Sequence, residues 1–473
     1  MTQNPENTMQ SLFDSQRRAF AADCNPDRAT RLDRLDRLSR LTEKHQHDIA
    51  KAISADFGNR SLHETALAEI FVTLAGIKHA RRHLAKWMRT RRVPTGAHLK
   101  PGYSRVMRQP LGVIGIVSPW NYSFQLAMCP ALAALAAGNR VMIKPSEVTP
   151  RLSALLAEIV AADFAADEMT VVVGDAEAGK AFTHLPWDHL FFTGSTAVGR
   201  YVAAAAAQNL TPVTLELGGK SPAIVDAGCN ADVIAPRVVS GKLFNAGQTC
   251  IAPDYMLVAE GEVDAFCAAF AKAVARGYPT LAQNPDYTSI VSERHYRRLR
   301  GLLDDAKAKG ATIVEINPAN ESFPEAERRI APTLILGATD DMAVMQEEIF
   351  GPLLPVVSYR GLDEAIRYVN AHPRPLALYV FTERAASRER VLQGTISGGA
   401  TVNDTLFHYV AEDLPFGGVG ASGYGAYHGE QGFLTFTKEK GVFFQTRFNF
   451  AYMLYPPYGR RMEQVLAWLK KIA

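Results

Sequence analysis

Leu32, Leu35, Leu38 and Leu41 recur every third residue among arginines and aspartates, which predicts a helix that buries one stripe. Helical patterning continues to about Arg92. Val93-Pro94-Thr95-Gly96 and Lys100-Pro101-Gly102-Tyr103 then supply turn signals around short strand-like pieces. From Leu111 the pattern changes to short β-branched runs separated by helical stretches, and residues 113–117, 140–143, 169–173, 190–193 and 213–216 read as strands. A second alternating set begins at 221–225 and runs past Thr401. Strand and helix in turn predict parallel sheets covered by helices on both faces, so the fold class expected is α/β with two such domains. The longest apolar run, Leu126 to Gly138, contains Pro130 and falls short of the roughly 18 to 20 residues that span a bilayer, so no membrane span is expected. Near the end, Met462, Val465, Leu466, Leu469 and Ile472 follow helical spacing beside Arg460, Arg461, Lys470 and Lys471, which predicts an amphipathic helix docked on the protein.

Size and charge narrow the classes. A chain of 473 residues exceeds one ordinary core. The net charge of +3 is spread without a basic stripe, which argues against nucleic acid as a partner. Five scattered cysteines without CxxC spacing fit a reducing compartment rather than a disulfide framework or a zinc site. The polar start MTQNPENTMQ lacks the basic-then-apolar pattern of a secretory leader, so a cytoplasmic location is expected.

Two short segments carry candidate chemistry. Cys250 closes Leu243-Phe244-Asn245-Ala246-Gly247-Gln248-Thr249-Cys250, and Glu216 is a lone acid in Leu215-Glu216-Leu217-Gly218-Gly219-Lys220. Both lie in glycine-rich turns at strand ends, where functional groups concentrate. A thiolate is the attacking form of cysteine, and a separate carboxylate that takes a proton from water would release an acyl group held on sulfur. The pair points to oxidation or transfer through a thioester. Cys24, Cys129, Cys229 and Cys267 read as small buried hydrophobes. Gly194-Ser195-Thr196-Ala197-Val198-Gly199 follows a predicted strand and opens a helix; it is not GxGxxG, and on its own it reads equally as a helix cap or as a loop whose N–H groups face a pyrophosphate.

LELGGKSP (215–222) and FNAGQTCIAPD (244–254), with Glu216 and Cys250 34 residues apart, are similar to the two active-site segments of the aldehyde dehydrogenase superfamily. The resemblance continues through PWN (119–121), KPSE (144–147), FFTGSTAVGR (191–200), EEIFGP (347–352) and LPFGGVGASGYGAYHG (414–429), so seven ordered motifs carry it. It implies a Rossmann-like cofactor domain (1–92 and 110–217), a catalytic domain (218–420), a small β element for subunit contact (93–109 and 437–447) and a tail (448–473). It also implies a homodimer. Within the superfamily the chain resembles the class 3 branch through TCIAPDY (249–255) and GAYHG (425–429), and YPPYG (455–459) is similar to the tail of bacterial coniferyl aldehyde dehydrogenases.

By that resemblance Asn121 holds an oxyanion, Lys144 and Glu147 bind the adenosine ribose, Gly194, Ser195 and Gly199 form the dinucleotide turn, and Glu348 and Phe350 meet the nicotinamide ribose and ring. Tyr122 and Phe416 are expected in the substrate tunnel, with Trp120, Phe407 and Tyr409 as further aromatic candidates. A carboxylate at 147 accepts hydrogen bonds from a free 2′-hydroxyl and repels a 2′-phosphate, which favours NAD over NADP. The chain departs from the family pattern at Ser123, where many relatives carry proline. The substrate expected is a hydrophobic, coniferyl-type aromatic aldehyde, with medium-chain aliphatic aldehydes as the alternative. An enzyme passing the acyl group to coenzyme A is disfavoured by Glu216, because thiolysis needs no activated water. A cysteine hydrolase would want a histidine base, and none lies near Cys250 in sequence. Intact Cys250, Glu216 and Asn121 oppose a non-catalytic role.

Overall fold

The computed structural model describes residues 5–472, so the first four residues of the polar start lie outside it. Helix Arg28–Phe57 begins where the Asp27 carboxylate accepts from the Thr30 N–H at 2.8 Å and ends at Gly58, whose φ of 86° suits a residue without a side chain. Leu35, Leu38 and Leu41 are fully buried along it, as their spacing predicts. The apolar run becomes helix Gln125–Ala137, buried on every side, and the Arg31 guanidinium donates to the Ala137 carbonyl at its C-terminal end, 2.7 Å away. An all-apolar helix of this length is a core element rather than a membrane one. Among the described residues no helix is long and apolar enough to cross a membrane.

Helical patterning does not reach Arg92. Helix Val72–Trp87 stops earlier, and Arg91–Val93 pairs as an antiparallel strand with Ser104–Val106. Ladder hydrogen bonds, which no local periodicity reports, decide this segment. Tyr103–Pro110 pairs in turn with Thr437–Phe444 along its whole length, completing a three-stranded antiparallel sheet. The terminal helix Arg460–Ile472 half-buries Met462, Val465 and Leu469, while Leu466 and Trp468 stay exposed.

Two larger sheets position the site. The six-stranded sheet runs Gly423–Tyr424, Val213–Leu217, His189–Gly194, Val113–Val117, Arg140–Lys144, Met169–Val171, all parallel except the first short strand. Chain order reverses between Val113–Val117 and His189–Gly194, so a crevice opens at the carboxyl ends of these strands, where open α/β sheets take ligands. The seven-stranded sheet runs Thr312–Glu315, Thr333–Leu336, Leu353–Tyr359, Tyr255–Ala259, Pro222–Val225, Ala377–Phe381, Gly399–Val402, with only the first pair antiparallel. Glu216 lies one residue from the carboxyl end of a strand in the first sheet, whereas Cys250, Glu348 and Phe350 precede the amino ends of strands in the second. One buried cluster, holding Ile116 and Ile143 from the first sheet and Met256 and Phe381 from the second, joins the two.

Candidate active site

Cys250 is delivered by a loop with an unusual backbone. After helix Ala231–Leu243, Asn245, Ala246 and Gly247 take φ of 53°, 50° and 75°, a left-handed run that costs free energy and persists only where its surroundings impose it. Here they do. Glu64 accepts from the Asn245 N–H at 3.0 Å, and the Asn245 side chain donates to the carbonyls of Asn121 and Gln248, both at 3.1 Å. The Gln248 carboxamide donates to Asn245 and Ser289 and accepts from the Val291 N–H. A methyl group on Gly247 would lie 2.3 Å from the Gly351 carbonyl, so this position is closed to larger residues.

The loop brings the thiol to the groups expected around it. Burial pushes the Cys250 thiol well up, and the nearby carboxyls of Glu348 and Glu216 push it further, partly offset by the N–H groups of Cys250 itself and of Ile251. Both Glu216 oxygens are buried without a hydrogen-bond partner, and desolvation raises this acid well above the usual carboxylate range. A buried carboxyl left unpaired, whose charge acts on a thiol, is an arrangement for moving protons rather than for holding the fold. The Asn121 carboxamide donates to the Gln248 carbonyl at 3.2 Å; an amide nitrogen carries two hydrogens, so one is left to offer.

A cavity of about 350 Å³ opens onto Cys250. Its wall combines Tyr122, whose hydroxyl meets the Thr249 hydroxyl at 2.6 Å, with Phe71, Phe244, Ile251, Leu406 and Phe407. Phe416 is not part of that wall. It is 4% exposed inside a cluster of His408, Tyr409, Tyr427 and His428, so the aromatic ring expected in the tunnel belongs to the core behind it. Trp120 packs instead on Phe57, His295 and Phe350. Sequence reading missed Phe71, which lies in no motif, Phe244, which opens the FNAGQTCIAPD segment without being singled out, and Gln125, whose buried amide nitrogen lies in the wall. It also missed Arg60 and the buried acids Glu64 and Glu69; Glu69 carries the same signal as Glu216, an acid inside an apolar run.

Of the residues expected to meet a dinucleotide, Lys144, Glu147, Gly194, Ser195 and Gly199 lie at or just after the carboxyl ends of strands in the first sheet. Ser195 caps helix Thr196–Ala207, its hydroxyl accepting from the Val198 N–H at 3.4 Å, and Val198 is exposed, so the first turn opens to solvent. Gly199 lets this helix close on its strand, since a methyl group there would lie 2.6 Å from Leu217, and at Gly194 it would meet the Phe192 ring. Lys144 is buried at its strand end, donates to the Pro145 carbonyl at 2.7 Å, and is held below the usual lysine range by burial. Glu147 is exposed beyond it. The Glu348 carboxyl has one buried oxygen without a partner; burial first, then nearby Asp254, pushes it up to about 8. Phe350 is held at φ 54°. An open helix N-terminus at the carboxyl edge of the first sheet and an orphan carboxyl oxygen on Glu348 fit a nicotinamide dinucleotide.

Residues 2–442 match the aldehyde dehydrogenase family. A probable coniferyl aldehyde dehydrogenase of Pseudomonas aeruginosa is 50% identical over 98% of this chain and 97% of its own length. The coniferyl aldehyde dehydrogenase of a Pseudomonas species is 48% identical over 97% and 95%. A substrate-bound Staphylococcus aureus AldH structure superposes with a TM-score of 0.92 at 41% identity, covering 98% of this chain and 99% of that one. An NAD-dependent aldehyde dehydrogenase from Sinorhizobium meliloti gives a TM-score of 0.85 at 27% identity, with 96% and 89% covered. The chain belongs to the aldehyde dehydrogenase family and is an aldehyde-oxidising oxidoreductase that uses NAD(P).

Proposed function

We propose that this enzyme oxidises a hydrophobic aromatic aldehyde of the coniferyl type to its acid with NAD, through a thioester on Cys250. One observation carries the mechanism: a buried Glu216 carboxyl without a hydrogen-bond partner, whose charge acts on a Cys250 thiol that itself lines an apolar cavity. The Cys250 thiolate adds to the aldehyde carbon, and the charge that builds on oxygen is met by the free Asn121 N–H and the Cys250 backbone N–H. The nicotinamide dinucleotide, when bound, supplies the acceptor for the hydride that leaves that carbon. An acyl group then remains on sulfur. Glu216 takes a proton from water, and the hydroxide replaces sulfur at the acyl carbon, freeing the acid and the thiolate.

Lys144, Glu147, Ser195, Glu348 and Phe350 would hold the dinucleotide, at a turn that Gly194 and Gly199 keep tight by packing on Phe192 and Leu217. The exposed Glu147 carboxylate supports NAD over NADP through repulsion of a 2′-phosphate. The relatives named for coniferyl aldehyde and the aromatic rings of the cavity wall support the substrate class. A broad aliphatic specificity is the second reading, favoured by the apolar character of that wall. The proposed domains are 1–92 with 110–217 for the dinucleotide and 218–420 for catalysis, with 93–109 and 437–447 for subunit contact and 448–473 as tail. A homodimer located in the cytoplasm completes the reading, supported by the small sheet's unpaired outer strands. The test is absorbance of NADH formed from coniferyl aldehyde, cinnamaldehyde and a medium-chain aldehyde, with NAD or NADP, with and without coenzyme A. Steady NADH formation from the aromatic aldehydes without coenzyme A is expected. A requirement for coenzyme A would overturn the hydrolytic release step, and a higher kcat/KM for the aliphatic aldehyde would overturn the substrate class.

A further inference from the structure

Ser123 occupies the middle of the loop that carries Asn121, and its hydroxyl is buried without a hydrogen-bond partner, so it contributes no bond that would hold the loop in shape. The shape comes from elsewhere in the chain. Arg60 and Glu69, 1% and 0% exposed, form an ion pair of 2.6 Å just outside the cavity wall. Arg60 also donates to the Asn121 carbonyl at 3.0 Å, and its guanidinium lies over the Tyr122 ring, 4.8 Å from the centroid. The second Glu69 oxygen accepts from the N–H groups of Phe124 and Gln125, at 2.7 and 3.2 Å. Those are donors at the start of helix Gln125–Ala137, where a negative charge is favoured. The pair therefore grips residues 121, 122, 124 and 125 and passes over only Ser123.

The geometry points to Arg60 and Glu69 as the positioning device for the oxyanion donor Asn121; this rests on the reading of Asn121 given above. Neither residue lines the cavity, so neither touches substrate. Their effect passes through one carboxamide. The Asn121 carbonyl is fixed from two sides, by Arg60 and by the Asn245 side chain of the nucleophile loop, so the donor and the thiol share one hydrogen-bonded frame. Burying an ion pair is costly compared with an apolar pair, which makes its presence beside a catalytic loop more informative than its contribution to stability. Burial pushes the Glu69 carboxyl above the usual carboxylate range, and Arg60 with the two N–H groups draws it part of the way back.

A double-mutant cycle tests the device with the whole enzyme. Glu69→Gln retains size and one acceptor oxygen but loses the charge that orients Arg60. Misplacing a reacting group by an ångström costs on the order of 100-fold, so kcat/KM for the aldehyde is expected to fall about 10- to 100-fold while KM for NAD stays unchanged. In an Asn121→Ala background the same change is expected to cost less than about 2-fold, because the group being positioned is gone. Arg60→Lys, which keeps the charge and removes the planar fork, is run beside it and is expected to show the same loss and the same non-additivity; it decides the matter if Glu69→Gln does not fold. Thermal melts identify the folded variants. Losses that multiply in the double variant, or a folded Glu69→Gln enzyme with full kcat/KM, would overturn the proposal. Full activity of Asn121→Ala alone would overturn the oxyanion role itself, a different result from an impaired Asn121→Ala with additive partners.

Discussion

A methyl group on Gly218 would collide with the Glu348 carboxylate, so a glycine at this turn is what admits a carboxyl whose charge acts on the Cys250 thiol. That nearness has an electrostatic sign. A negative charge disfavours thiolate, so Glu348→Gln should lower the thiol's pKa and move the midpoint of iodoacetamide alkylation of Cys250 to lower pH. Because Glu348 ionises only as pH passes about 8, the gap between variant and parent should widen above that value. Coincident alkylation profiles would place Glu348 too far from the sulfur to matter.

Cys250→Ala removes the nucleophile and none of the proposed cofactor contacts. NADH formation should vanish while NAD still binds, as read by fluorescence titration. Substantial turnover by the folded variant would exclude the thioester route.

Glu216→Gln keeps the shape and removes the base. A burst of about one NADH per active site, followed by very slow turnover, is expected in stopped-flow absorbance. Since burial raises Glu216 well above the usual carboxylate range, its ionised form appears at higher pH than that of an ordinary carboxylate; in the parent enzyme kcat should climb with pH as Glu216 ionises, and the variant's residual rate should lose the climb. Unchanged steady turnover would remove Glu216 from the release step.

At the dinucleotide edge, Glu147→Gln deletes a like charge facing any 2′-phosphate. The ratio of kcat/KM for NAD to that for NADP should narrow. A constant ratio would mean that Glu147 does not face the ribose.

Gln125 offers the cavity a polar group whose neighbour in the protein is the Cys129 thiol, a weak acceptor. A neutral hydrogen bond contributes about 1 kcal/mol, roughly 5-fold, so Gln125→Leu should cost coniferyl aldehyde about that factor relative to cinnamaldehyde, which lacks the ring oxygens. Equal effects on both aldehydes would show that Gln125 does not meet those oxygens.

The parallel strands were legible because each is a short β-branched run bounded by turn residues; residues 113–117 match to the residue, and 169–173 overruns Met169–Val171 by two. Cys250 and Glu216 were legible because glycine-rich turns announce themselves locally. What escaped is long-range. Arg60 meets Asn121 across 61 positions and Glu64 meets Asn245 across 181, and no window of sequence contains either contact. Phe416 escaped for a related reason: an aromatic beside a motif has the same pattern whether it faces a cavity or backs it. Arg91–Val93 shows the converse, where a partner strand overrules a helical pattern that is locally consistent.

Strand Gly423–Tyr424 pairs with Leu215 and Glu216 at the rim of the first sheet, yet it is synthesised after every strand of the second. Until it arrives, the strand bearing Glu216 offers a row of unsatisfied peptide groups to any passing chain. A polypeptide cut short before residue 423 would hold nearly all of both large sheets and still expose that row. Such fragments should self-associate on release from the ribosome, and the segment from residue 423 onward would then protect the nascent enzyme from its own neighbours as well as completing it.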